Sequence, residues 1–211
     1  LMDFYEIKER ALKSGTTEVR PAWRVHRFKD LMVRGKSFYA VYNPETHFWS
    51  TDEYDLTCIV DADVTRHFQE ASKRVDGSVW PRYLGDYDSK TYADYKAWMS
   101  KLPDVHQPLD SRILFANQTP RREDYATRTL SYSLSDDPCP AYEELMSTLY
   151  DPDEREKLEW AIGSVFAGDS TWIQKFFVLY GSAGSGKSTV LNLISRLLDG
   201  HIAQFDAAAL G

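Results

Sequence analysis

A glycine-rich octet near the carboxyl end leaves little freedom in how the surrounding chain folds. It reads Gly181-Ser182-Ala183-Gly184-Ser185-Gly186-Lys187-Ser188 and fits the pattern GxxxxGK(S/T). The preceding residues 175–180 are a nearly continuous apolar run, which is typical of a buried parallel strand. Residues 189–198 have one apolar helical face, made of Val190, Leu191, Ile194, Leu197 and Leu198. The sequence therefore predicts a strand, a glycine loop and a helix in succession, which is the context that this pattern requires.

The residue types of the octet suit the charge of a magnesium-bound nucleoside triphosphate. Glycines let the backbone curl, so that N–H groups converge on the phosphates at the positive end of a helix. A side chain at Gly181 or Gly186 would block that approach. Lys187, the candidate catalytic residue, would place a point charge on the β- and γ-phosphates, and the Ser188 hydroxyl would bind Mg²⁺. The predicted nucleotide-binding residues are Gly181, Ser182, Ala183, Gly184, Ser185, Gly186, Lys187, Ser188 and Thr189.

Hydrolysis is a separate requirement, because a loop of this kind binds phosphates without activating water. That step needs a carboxylate on a neighbouring strand, a residue that positions water and often an arginine from another subunit. Only 23 residues follow Ser188, and Asp206 among them lacks both a paired acid and room for a strand before it. We assign Asp206 no catalytic role and expect the hydrolytic machinery to be incomplete in this chain.

The composition excludes several classes of protein. Hydrophobic residues make up 43% and charged residues 27% of the 211 positions, which is ordinary for a soluble globular protein. No apolar run is long enough to span a membrane. Cys58 and Cys139 lack zinc-site or disulfide spacing, so we expect both to be buried as small apolar side chains. The net charge of −7 argues against nucleic-acid binding through bulk charge. We interpret the chain as part of a longer protein.

The amino-terminal half shows mixed helix and strand signals. Two aromatic runs around the Asn43-Pro44 turn predict a hairpin, and a helix is expected from Asp61 as N-cap. A second helix is expected over residues 92–102. A proline-rich stretch follows, and then a short amphipathic helix and another that begins at Asp151 with Pro152 in its first turn. We predict an α+β domain over 1–102, a linker over 103–140, a helical collar over 141–170 and the start of an ATPase domain over 171–211.

A local excess of positive charge lies between residues 20 and 36. This stretch holds six basic side chains against a single acid, Asp30, and interleaves them with aromatic residues. Such a pattern can neutralise phosphates and stack on bases, although a solvated surface has the same composition. The candidate DNA-binding residues are Arg20, Arg24, Arg27, Arg34 and Lys36.

Several short motifs together resemble those of one family. They are Ile113-Leu114-Phe115-Ala116-Asn117, Pro138-Cys139-Pro140-Ala141-Tyr142, Leu158-Glu159-Trp160-Ala161-Ile162-Gly163, the glycine octet, and Leu197-Leu198-Asp199-Gly200. In this order they resemble the D5-like primase-helicases of phages, large DNA viruses and mobile elements, in which a superfamily 3 helicase core follows a D5 N-terminal domain.

The resemblance implies an α/β fold and a ring-forming, ATP-driven DNA helicase. It implies ATP and Mg²⁺ as cofactors, DNA and further copies of the chain in a hexamer as partners, no membrane partner, and a location in the host cytoplasm. Gly181, Gly186, Lys187 and Ser188 would be its Walker A residues. The family's Walker B acids, asparagine sensor and arginine finger have no counterpart here, so we expect the isolated chain not to unwind DNA.

Three alternatives remain open at this stage. Residues 58–63 resemble an apolar strand that ends in Asp61-x-Asp63, the arrangement by which primases hold two metal ions. The octet also suits another P-loop ATPase, a kinase or a signalling switch, although the long segment before it favours an appended domain. Finally, the chain fits a non-catalytic module for oligomerisation or for guiding DNA.

Overall fold

Helices and two small sheets are both present in the computed structural model, which describes residues 2–24, 28–168 and 170–203. The chain therefore has a mixed α and β architecture. Its contacts define two compact units. The first comprises Leu1–Leu109 and Arg121–Thr127, and the second comprises Asp110–Pro120 and Arg128–Gly211. The stretch that we predicted as a linker, 103–140, contributes residues to both units.

The first unit contains two three-stranded sheets. One has the order β1-β2-β6, with β1 and β2 antiparallel and β6 parallel to β2; the other has the antiparallel order β3-β4-β5. The predicted hairpin is confirmed, because Val41 pairs with Ser50 and Tyr42 with Trp49. The strands are β1 Tyr5–Ala11, β2 Thr17–Trp23, β3 Leu31–Arg34, β4 Ser37–Tyr42, β5 Trp49–Ser50 and β6 Val79–Pro81.

Helix α1, Glu53–Arg74, is the longest element of this unit and begins earlier than predicted. Its N-cap is Asp52, whose side chain accepts the N–H of Tyr54 at 2.9 Å. The prediction of Asp61 as N-cap was wrong, because Asp61 lies inside the helix and its carboxylate accepts backbone N–H groups from another segment. The apolar period extends upstream to Leu56, which is fully buried.

The core of the first unit forms between α1, the strands and α2, Lys90–Met99. Helix α2 begins after Ser89, whose side chain caps the N–H of Tyr92 at 3.1 Å. Tyr95 and Trp98 of α2 are buried, as expected for a core face. The indole of Trp98 donates to the carbonyl of Arg24 at 2.6 Å, which satisfies its polar edge inside the core. A 3-10 helix, Arg122–Asp124, also belongs to this unit.

The second unit is helical in the described residues. Its helices are α3 Pro140–Leu149, α4 Pro152–Ala167, α5 Ser170–Ile173 and α6 Lys187–Leu197. The predicted start of α4 is confirmed, because Asp151 accepts the N–H of Glu154 at 2.9 Å and Pro152 occupies the first turn. Two apolar clusters stabilise the unit. One is built on Ile113, Leu130 and Leu198, and the other on Met146, Leu158 and Val190.

Residues 175–180, which we predicted as a buried strand, do not form one in the structure. No β-ladder forms there within 170–203, and Phe176, Val178 and Tyr180 have exposed fractions of 86%, 72% and 97%. A buried parallel strand needs a hydrogen-bonded neighbour and covering helices, and the described part of this unit contains no other strand. The predicted strand of a P-loop core is therefore not present among the described residues.

Two further expectations concern exposure and membranes. Cys58 and Cys139 are both exposed, so the prediction that they are buried was wrong. Cys58 lies within α1 but outside the face that packs on the sheets, and Cys139 immediately precedes α3. Among the helices that the structure describes, none has the length and apolar character to cross a membrane.

Candidate functional site: the glycine loop before helix α6

The glycine octet folds around the side chain of Lys187, the first residue of α6. The Lys187 ammonium donates to the carbonyl oxygens of Gly181 at 2.8 Å and Ser182 at 2.7 Å. It also donates to the hydroxyl of Ser185 at 3.0 Å. These three bonds hold a positive charge at the centre of the loop, where the sequence pattern places it.

The amino end of α6 presents backbone donors beside this charge. The first helical bond runs from Val190 N to Gly186 O at 3.1 Å, so the N–H groups of Lys187, Ser188 and Thr189 precede it. No side chain of the described residues caps this end of the helix. N–H groups that lack a partner in the described part of the chain, at the positive end of a helix, are what an anion requires.

The backbone of the loop depends on glycine at two positions. Gly184 and Gly186 have φ of +80° and +81°, in the left-handed region that side chains disfavour. Gly186 is also the N-cap of α6. A Cβ at Gly181 would lie 2.9 Å from the Ser185 hydroxyl, so a larger residue there would require the Ser185 side chain to move.

The residues present fit a magnesium-bound triphosphate. The N–H donors and the Lys187 ammonium match the charge of the β- and γ-phosphates. Ser188 is exposed at the start of α6, and its hydroxyl has no hydrogen-bond partner within the described ranges, so it remains able to bind a metal ion. The structure thus brings together the predicted residues from Gly181 to Thr189 on one loop and one helix end.

Helices α3 and α4 pack directly against α6. Val190 of α6 contacts the apolar cluster that Met146 and Leu158 form. Arg155 links the two helices, because its guanidinium donates to Glu143 at 2.8 Å and to Glu159 at 2.7 Å.

The same pair of helices contains a tyrosine whose ionisation is strongly suppressed. Burial, followed by a 2.9 Å hydrogen bond from the Tyr142 hydroxyl to Glu159, raises the pKa of Tyr142 to about 12. The hydrogen bond from Arg155 lowers the pKa of Glu143. Charged and aromatic contacts therefore join α3 to α4, and apolar contacts join both helices to α6.

The candidate DNA-binding residues do not form one free basic surface. Arg20 pairs with Asp94 at 3.0 Å, and Arg24 pairs with Glu6. Arg27 lies outside the described residues. Arg34 and Lys36 are exposed at the turn between β3 and β4, and no carboxylate of the described chain is within ion-pair distance of either. These last two side chains are the ones that the structure leaves available for phosphates.

The alternative site at Asp61 and Asp63 is wrong as a strand-end metal pair. Both residues lie in α1, where positions two apart point in different directions. Asp61 accepts the N–H groups of Leu84 at 2.7 Å and Gly85 at 3.0 Å, and burial raises its pKa. Asp63 instead accepts the hydroxyl of Tyr5 at 2.6 Å. In the described chain no three metal-binding side chains cluster.

Sequence reasoning missed a buried ion pair in the first unit. Asp30 is only 2% exposed, and its carboxylate lies 2.8 Å from the Nε of Arg122. The Arg122 guanidinium also lies over the ring of Tyr42, 5.2 Å from its centroid. Burial raises the pKa of Asp30, and the nearby carboxylate of Asp3 acts in the same direction. No local pattern could reveal this pair, because its members are far apart in the chain.

No protein-family model, curated protein or solved structure matches this chain.

Proposed function

We propose that this chain carries the nucleotide-binding loop of an ATP-dependent DNA helicase of the D5-like primase-helicase type. One observation carries the proposal: the octet 181–188 folds around the Lys187 ammonium at the amino end of α6, where the N–H groups of residues 187–189 have no partner among the described residues. Within the described residues no carboxylate forms an ion pair with this ammonium and no side chain caps α6, an arrangement that suits a bound anion better than a turn with only a structural role.

Each residue of the loop has a defined task in this proposal. On binding, the Lys187 ammonium exchanges the carbonyls of Gly181 and Ser182 for the β- and γ-phosphate oxygens. The N–H groups of Lys187, Ser188 and Thr189 donate to the same phosphates. Ser188 would hold Mg²⁺, which neutralises part of the triphosphate charge when bound.

DNA binding and ring assembly are further parts of the proposal. Arg34 and Lys36 at the β3–β4 turn are suited to the DNA backbone, because their charges are not consumed by ion pairs in the described chain. The helical segment α3–α4 would serve as a collar between copies of the chain in a hexamer.

A binding experiment tests the nucleotide site. We expect Lys187→Ala in the full chain to weaken Mg-ATP binding by at least tenfold, since a charge-assisted hydrogen bond contributes about 1.5–3 kcal/mol. Arg196→Ala removes a positive charge from the last turn of the same helix and is the matched control. Isothermal titration calorimetry measures both. Equal affinities for wild type and Lys187→Ala would refute the proposal.

A second candidate function is a non-catalytic assembly module. It is favoured by the exposed apolar side chains of Trp160, Trp172, Phe176, Val178 and Tyr180 in the second unit, since large exposed apolar patches often mark interfaces. Sedimentation at several protein concentrations distinguishes the two. A pure assembly module associates equally with and without Mg-ATP, whereas a nucleotide-driven ring associates more tightly with it.

A further inference from the structure

Leu149, the last residue of α3, lies directly against the glycine loop. A Cβ placed on Gly186 would come within 2.5 Å of the Leu149 Cδ2, 2.9 Å of Cδ1 and 3.2 Å of Cγ. Both methyl groups of Leu149 therefore contact the backbone of Gly186, the residue that immediately precedes the helical N–H donors. Among the predicted site residues, none comes from this part of the chain.

The position of Leu149 is fixed by helix packing and not by the loop itself. Met146, one turn earlier on α3, is buried against Val190 of α6 and Leu158 of α4. Arg155 of α4 further ties the two helices by its ion pair with Glu143. These contacts hold the end of α3 over the loop whether or not the loop binds a ligand.

We propose that Leu149 is a positioning residue that sets the affinity of the loop for phosphates, so that the α3–α4 helical pair controls nucleotide binding. This inference rests on the proposed function of the loop. The methyl groups of Leu149 restrict the left-handed backbone at Gly186 and keep the N–H groups of residues 187–189 aimed at one point. Without these methyl groups the loop samples other conformations. The apparent affinity for phosphates then falls in proportion to the fraction of molecules whose loop is in the binding conformation.

The role predicts how binding responds to ligands with and without a base. Inorganic tripolyphosphate with Mg²⁺ contacts only the phosphate donors, whereas Mg-ATP also brings a base and a ribose. We expect Leu149→Ala to weaken both ligands by the same factor, about tenfold for a competent fraction reduced to a tenth. Leu149→Met, which restores a flexible apolar side chain of similar volume, should retain affinity within about twofold.

A matched truncation controls for general loosening. Leu130 is buried in the other apolar cluster of the second unit, and Leu130→Ala removes the same atoms without touching Gly186. Circular dichroism confirms that each full-length variant is folded before calorimetry with the two ligands. The inference predicts affinities for Leu130→Ala equal to those of the wild type.

The outcomes separate the inference from the proposed function. An unchanged affinity of Leu149→Ala for tripolyphosphate, with or without a loss of Mg-ATP binding, overturns the positioning role. An equal loss in Leu130→Ala overturns it as well. If Lys187→Ala binds both ligands like the wild type, the proposed function fails, and the role of Leu149 fails with it. If Lys187 is required but Leu149 is not, only the inference fails.

Discussion

Alanine at Gly186 should destabilise the start of α6 much more than alanine at Gly184. Both glycines have a left-handed φ, so each substitution strains the backbone by about 1–2 kcal/mol. At Gly184 a Cβ would meet open space, because no atom lies within 4 Å. At Gly186 the Cβ would overlap Leu149, and overpacking of this kind adds about 1–3 kcal/mol. We therefore expect the free energy of opening α6 to fall by roughly 1.5 kcal/mol in Gly184→Ala and by roughly 3.5 kcal/mol in Gly186→Ala.

Hydrogen exchange of the α6 amides in the full chain measures this difference. Opening of α6 together with the loop before it releases the strain at both Gly184 and Gly186, so the amides from Val190 to Leu197 should exchange faster in both variants. A factor of ten in rate corresponds to about 1.4 kcal/mol, which gives roughly tenfold for Gly184→Ala and roughly 300-fold for Gly186→Ala.

A double-mutant cycle tests the physical cause. In a Leu149→Ala background the overlap is gone, and Gly186→Ala should then cost only the backbone strain, roughly a tenfold faster exchange. Equal exchange in Gly184→Ala and Gly186→Ala would show that Leu149 does not pack on the loop. Additive effects of Leu149→Ala and Gly186→Ala on the exchange rates would likewise show that the two residues are not in contact.

Three further predictions concern the first unit. Asp61→Asn should lower the free energy of unfolding by about 1 kcal/mol, because it replaces a carboxylate that accepts two backbone N–H groups. Burial raises the pKa of Asp61 in the folded state, so the stability of the wild type relative to this variant should fall as the pH rises from the ordinary aspartate pKa through the raised one. Urea titrations at several pH values measure this difference, and a relative stability that rises over that range would contradict the burial effect. Tyr95→Phe should cost about 1 kcal/mol by loss of its 3.0 Å hydrogen bond to a glutamate of α1, whereas Tyr92→Phe, whose hydroxyl has no partner in the described chain, should cost almost nothing in the same urea titration. Finally, Arg34→Ala with Lys36→Ala should weaken single-stranded DNA binding and lower the slope of log affinity against log salt by about 1.5, and an unchanged slope would remove these two residues from the DNA interface.

The sequence predicted the start of α4 and the β4–β5 hairpin, because neighbouring residues determine both features. The Asp151 cap with Pro152 defines the start of α4, and the Asn43-Pro44 turn joins two strands that pair as expected. The start of α1 was misplaced because both Asp52 and Asp61 are good N-caps by type. The burial of Leu56, a tertiary property that residue type does not display, extends the helix back to Asp52, whose side chain accepts the N–H of Tyr54.

Long-range contacts were beyond sequence reasoning. Nothing near Gly186 in the chain indicates that Leu149 packs on it, and nothing near Asp30 indicates Arg122. The apolar run 175–180 has the composition of a buried strand, but a strand also needs neighbours to pair with, and the described part of its unit holds none. The motif indicates which residues share one loop, whereas the packing around that loop depends on contacts that no local pattern displays.

The location of a bound nucleotide tests the central claim most directly. A crystal structure of the full chain with Mg²⁺ and a non-hydrolysable ATP analogue should place the β- and γ-phosphates about 3 Å from the backbone nitrogens of residues 187–189. The Lys187 ammonium should have left the carbonyls of Gly181 and Ser182 for a phosphate oxygen. An analogue bound elsewhere, with Lys187 still hydrogen-bonded to Gly181 and Ser182, would contradict the account.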